Sequence, residues 1–127
     1  KTAKADEVYD VSTGIKEEDD SCEEIICGCM LEQLETNKDF VFVLNECWRV
    51  LKSEGILRGY VPSTDPRVMY LDPMDKRFFQ EDSFKYFLEG ENPYNSFGKN
   101  YGFKPWRKIE LRTSESGIIH FALTPVK

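Results

Sequence analysis

The stretch "NECWRVLKSEGILRGYVPS", Asn45 to Ser63, constrains this chain more than any other. It ends a helical pattern on basic residues, breaks at Gly55 and runs into "ILRGYVP" (Ile56 to Pro62), a strand that must stop at its proline. Upstream, Thr36 offers an N-cap with Asp39 three residues on. Phe40, Leu44, Cys47, Trp48 and Leu51 then repeat at helical spacing, which predicts a helix over Asn37–Lys52 with Arg49 and Lys52 suiting its carboxyl end. Before it, "EEIICGC" (Glu23 to Cys29) reads as a strand apolar enough to be covered on both faces. Strand, helix and strand with short links make a parallel crossover, which is right-handed almost without exception.

The flanks add shorter elements. "EVYDVS" (Glu7 to Ser12) is a strand candidate ended by Thr13 and Gly14. After the crossover, Asp65 to Phe79 is a loop with two Asp-Pro steps, and "QEDSFKYFLEG" (Gln80 to Gly90) is a short amphipathic helix with Phe84, Phe87 and Leu88 inward. Glu91 to Pro105 has no period and reads as a structureless lid. "RKIELRT" and "GIIHFAL", joined by the tight "SESG" turn, form an antiparallel hairpin.

Charge and cysteine usage exclude several classes. Residues 1–40 hold 4 Lys and 12 Asp or Glu, a net charge of −8, so nucleic acid is not expected as a partner of that third. The run "KEEDDSCEE" neither alternates its carboxylates nor carries the glycine of a calcium loop, and reads as a solvated acidic turn. No apolar run is long enough to cross a bilayer and the first residues lack a signal-peptide pattern, so no membrane partner and a cytoplasmic location are expected. Cys22, Cys27, Cys29 and Cys47 read as reduced, packed thiols; with His120 they lack paired CxxC spacing, so no metal site is expected.

The order of these words carries a family resemblance. "DVSTGIKEEDDSCEEIICGCMLEQL", then "LNECWRVLKSEGILRGYVP", then "LDPMDKRFFQEDSFKYF" resemble the middle and carboxyl-terminal part of a class I S-adenosylmethionine-dependent methyltransferase of the small-molecule type. The resemblance covers the chain from about Glu7 to its end. It implies an α/β fold over residues 1–127: an incomplete Rossmann-like methyltransferase sheet, mostly parallel with a carboxyl-terminal antiparallel hairpin, and helices on its faces. The family's glycine-rich cofactor turn and the acidic residue of its second strand have no counterpart, because no GxGxG occurs and only six residues precede the strand that matches the family's third. Gln33 stands where the family usually has His, Ser53 and Glu54 replace Pro and Gly, and Asp75 stands where related loops often carry His.

By resemblance, Asp10 is the adenine-amino acceptor, Val11 the backbone against the ring, and Cys27, Gly28 and Cys29 the strand end along the cofactor's methionine part. Turn formation is the alternative role for Asp10, of equal weight. Methyl transfer from a sulfonium is an in-line displacement in which positioning supplies much of the effect, so a base is optional. Asp75, Tyr70 and Tyr101 are the polar candidates, each more simply a loop residue, and His120, Trp48 and Trp106 read as structural.

Three readings follow: a methyltransferase-type domain completed by another chain, a truncated and inactive piece of a longer enzyme with S-adenosylmethionine as the family cofactor, or a non-catalytic ligand-binding or dimerisation module. The strands missing before "EEIICGC" leave a sheet edge. Either "EVYDVS" closes up against it or two copies pair there as a homodimer.

Overall fold

A computed structural model describes residues 2–3, 13–28 and 30–127. Thr36 caps the long helix as its position predicts, its hydroxyl accepting from the Asp39 amide at 3.0 Å. That helix, α1 (Asn37–Val50), buries Val43, Leu44, Cys47 and Val50, of which Val43, Leu44 and Val50 each contribute about 1.5–3 kcal/mol of apolar burial. It stops two residues before the predicted Lys52, because Leu51 is already extended and pairs with Cys22.

The strands are β1 (Thr2–Ala3), β2 (Cys22–Gly28), β3 (Leu51–Pro62), β4 (Trp106–Thr113) and β5 (Ile118–Pro125). They form one sheet in the order β1-β2-β3-β5-β4. β1, β2 and β3 run parallel to one another, and β5 runs antiparallel to both β3 and β4. Among the described strands only β5 is reversed, so the sheet is mostly parallel with an antiparallel carboxyl-terminal hairpin, as the resemblance implies. The place beside Glu24 and Ile25 is taken by Thr2–Ala3. The expected strand "EVYDVS" at Glu7–Ser12 lies outside the described residues.

Register divides the sheet into two unlike faces. Ile25, Cys27, Leu57, Val61, Ile119, Phe121 and Leu123 point to the core, where α1 and the 3-10 helix Glu81–Phe87 pack. Phe84 of that 3-10 helix meets Phe121 at 5.3 Å between ring centroids. The opposite face carries Glu24, Ile26, Arg58, Tyr60, His120, Glu110 and Arg112. Ile26 is 52% exposed there, so β2 is not covered on both faces as its composition led one to expect. A charge ladder, Glu24 to Arg58 to Glu110 to Arg112, crosses that face instead.

The segment expected to be a structureless lid is helical. A π-helical turn (Tyr94–Gly98) runs into α2 (Lys99–Tyr101), and the Tyr94 hydroxyl donates to the Phe103 carbonyl at 3.1 Å. Gly98 is required because an added Cβ would lie 1.8 Å from the Tyr86 carbonyl oxygen.

The acidic run is held from within. Arg49 donates to the carbonyls of Ile15 and Glu17 and to the carboxylates of Asp19 and Glu46, while Glu46 accepts from the Ile15 amide at 2.9 Å. The carboxylates stay largely in water as expected, but the backbone beneath them is fixed to α1.

Candidate functional site

In open parallel sheets ligands bind outside the carboxyl ends of the strands. Here the chain leaves β2 at Gly28 and makes a 3-10 turn, Leu31–Gln33, whose Leu31 is buried. That burial carries Glu32 inward with it, to 2% exposure, and its Oε1 has no hydrogen-bond partner among the described residues. The Glu32 carbonyl accepts from the amides of both Lys76 and Arg77, at 2.7 and 3.1 Å, which docks the post-β3 loop against the end of β2.

Two carboxylates arrive with that loop. Gln33 Nε2 donates to Asp72 Oδ2 at 2.9 Å and to Asp75 Oδ1 at 3.4 Å. Asp72 also accepts from the Met74 amide, an Asx turn that fixes its carboxylate. Glu32, Asp72 and Asp75 line a cavity of about 220 Å³ with Tyr60 and Leu71. Burial raises the Glu32 carboxyl above the usual carboxylate range, its own backbone hydrogen bond opposes this, and the charges of Asp75 and Asp72 add to the rise. A buried carboxyl of that kind can hold a proton and donate a hydrogen bond into the cavity.

Across the Lys76–Arg77 segment lies a second cavity, of about 730 Å³, between the first turn of α1 and the segment that follows β3. Aromatic rings dominate its wall. Arg77 places its guanidinium 4.7 Å from the centroid of Phe40 and donates to Asn37 Oδ1 at 3.3 Å.

The sequence-derived candidates do not converge. Asp75 is buried in the acidic cavity, whereas Tyr101 lies on the rim of the aromatic one, stacked on Tyr86 at 6.3 Å. Tyr70 is 63% exposed and packs edge-on against Phe78 at 4.4 Å. His120 sits on the open sheet face, 6.0 Å from the Tyr60 ring. Trp106 is fully buried, and Trp48 donates to the Pro105 carbonyl at 2.9 Å. Asp10, Val11 and Cys29 lie outside the described residues.

Glu32 and Arg77 were not singled out by sequence. The available signals were a charge between the buried leucines of "MLEQL" and an arginine directly before two phenylalanines.

S-adenosylmethionine would need acceptors for its amino and ribose groups and a backbone it can approach closely. Cys27 instead turns its side chain into the core, where burial, aided by the charge of Glu32, pushes the thiol up to about 12. It is a packed, inert thiol, as are the free and buried Cys22 and Cys47. Gly28 carries the Tyr60 ring so close that an added Cβ would meet it at 2.8 Å. Of the strand end expected along the cofactor, the described residues are Cys27 and Gly28, and Cys27 presents its backbone rather than its side chain on the side away from the core.

No family model matches the chain, and no curated protein matches it. Solved structures do. CalO1, described as a methyltransferase in calicheamicin biosynthesis in its SAH-bound form, superposes with a TM-score of 0.61 at 12% identity, over 93% of this chain and 33% of its own. The pyocyanin biosynthetic protein PhzM gives 0.60 at 8% identity, over 93% and 34%. A SAM-dependent methyltransferase from Methanosarcina mazei gives 0.54 at 14% identity, over 91% and 65%. The chain thus spans between a third and two thirds of the length of these proteins. At such identities the likeness is one of fold: this chain has the fold of part of an S-adenosylmethionine-dependent methyltransferase domain.

Proposed function

We propose that this chain is the acceptor-side portion of a methyltransferase-type domain, related to enzymes that move a methyl group from S-adenosylmethionine to a small molecule, and that it transfers no methyl group by itself. The observation that carries this is the sheet order with its one reversed strand, matched over more than nine tenths of the chain by methyltransferase structures. In-line transfer demands that donor and acceptor both be held, within a fraction of an ångström of the attack geometry. The acidic cavity at the ends of β2 and β3 supplies polar groups on the acceptor side: Glu32 to hold a proton, and Asp75 and Asp72, tied together by Gln33, to orient a donor group. The donor side requires close-approaching backbone amides of a glycine-rich turn, and no GxGxG occurs in these 127 residues.

The test is a transfer assay with methyl-labelled S-adenosylmethionine and panels of small amines, phenols and carboxylic acids. Incorporation at the level of the protein-free control is expected. Turnover by the chain alone would overturn the proposal.

A second reading, a non-catalytic ligand-binding module, is favoured by one specific observation: the aromatic cavity, at about 730 Å³, is larger than the acidic one, at about 220 Å³.

A further inference from the structure

The large cavity has a composition unlike the rest of the molecule. The chain carries a net charge of −6 and 23 acidic residues, yet none of the residues lining this cavity is acidic. Its two charged residues are Arg77 and Lys38, and seven of its twelve lining residues are aromatic. The first turn of the fourteen-residue α1 supplies Asn37 and Lys38 to the wall, so the positive end of the helix dipole adds to the same field.

Arg77 is the group this cavity leaves least satisfied. Its guanidinium lies over Phe40, one Nη donates to the neutral Asn37, and its Nε is buried with no hydrogen-bond partner among the described residues. Burial works against its charge, and Asp39 opposes that only at a distance. A planar cation with donors to spare, set among aromatic faces, is the arrangement that recognises a carboxylate on an aromatic ring. The ring stacks on the walls while the carboxylate takes the fork of the guanidinium.

We propose that this cavity binds an aromatic carboxylate, with Arg77 receiving the carboxylate and Phe40, Phe103, Tyr86 and Tyr101 holding the ring. The inference stands apart from methyl transfer, and its test uses no cofactor. A volume of about 730 Å³ accommodates a one- or two-ring compound within an open-sided cleft.

The test is calorimetric titration of the intact chain with 1-naphthoate, with 1-naphthylmethylamine as the cationic analogue and cyclohexanecarboxylate as the non-aromatic one. Naphthoate is expected to bind at least tenfold more tightly than either. Arg77→Met is expected to weaken naphthoate at least tenfold and Arg77→Lys by less, because the lysine keeps the charge and loses the fork. Tyr101→Ala, at an exposed rim position, is expected to weaken naphthoate several-fold with the fold intact, which keeps the test open if Arg77→Met does not fold. No naphthoate binding at millimolar concentration, equal binding of the amine, or unchanged affinity in Tyr101→Ala together with either Arg77 variant would overturn the proposal.

Discussion

Gly59 lies directly across from Cys27 in the β2–β3 pair, and an added Cβ at Gly59 would sit 2.0 Å from the Cys27 carbonyl oxygen. Nothing at that point can yield cheaply, because the obstacle is backbone of the neighbouring strand on the face that α1 covers. Gly59→Ala is therefore expected to cost about 3 kcal/mol or more, at the upper end of overpacking penalties. Gly90→Ala is the contrast: its Cβ would meet nothing within 4 Å, and only the positive φ of 85° is strained, for about 1 kcal/mol. Urea midpoints of the two variants measure the difference, and equal losses would contradict this register.

Arg49 fixes the acidic segment to α1 through carbonyls and carboxylates together, and its hydrogen bond to Glu46 is the main reason the Glu46 carboxyl lies below its usual value. A depressed carboxyl stabilises the fold above its unfolded value near 4.5, and that stability is lost as pH falls through the lower folded value. Arg49→Met is expected to cost about 1–2 kcal/mol at pH 7, since it removes charged hydrogen bonds from a partly buried site. It should also flatten the acid limb of the stability curve below pH 4.5 and speed amide exchange over residues 15–21. Unchanged exchange there would show that the segment is held by something else.

Glu32 has the opposite linkage. Its raised carboxyl binds a proton in the folded state at a pH where the unfolded chain has already lost it, so folding stability declines as pH rises above about 4.5 through the folded value. Asp75, Asp72 and the Cys27 thiol are the titratable groups linked to it. Glu32→Gln keeps the shape and removes the charge, and it is expected to stabilise the fold by an increment that grows from pH 5 to pH 7.5. Melting temperatures across that range check it, and an increment that shrinks with pH would reverse the assignment.

The elements set by local chemistry were legible in the sequence. Thr36 with Asp39 located the start of α1, the "SESG" turn located the hairpin, and Pro62 ended β3 where its missing amide requires. What depends on distant partners was not. Leu51 looked helical by period, but its pairing with Cys22 turns the chain into β3. The aromatics from Tyr94 onward showed no period because a π-helical turn repeats at neither the helical nor the strand spacing. The acidic cavity forms only when the post-β3 loop docks on the Glu32 carbonyl, a contact across more than forty residues. Among the described residues Asp75 alone of the expected polar candidates falls in it, and the carboxyl that most defines the site, Glu32, lies one residue from Gln33, where the sequence departs from the family pattern.

A thermal melt with and without S-adenosylmethionine and its demethylated product tests the proposal that these residues, with the fold of part of a methyltransferase domain, do not complete a cofactor site by themselves. A ligand at about a hundred times its dissociation constant adds roughly 2.7 kcal/mol, which in a domain of this size moves the midpoint by about 8 °C or more. No shift is expected with either compound at millimolar concentration. A clear upward shift would contradict it, because the site would then be assembled within this chain.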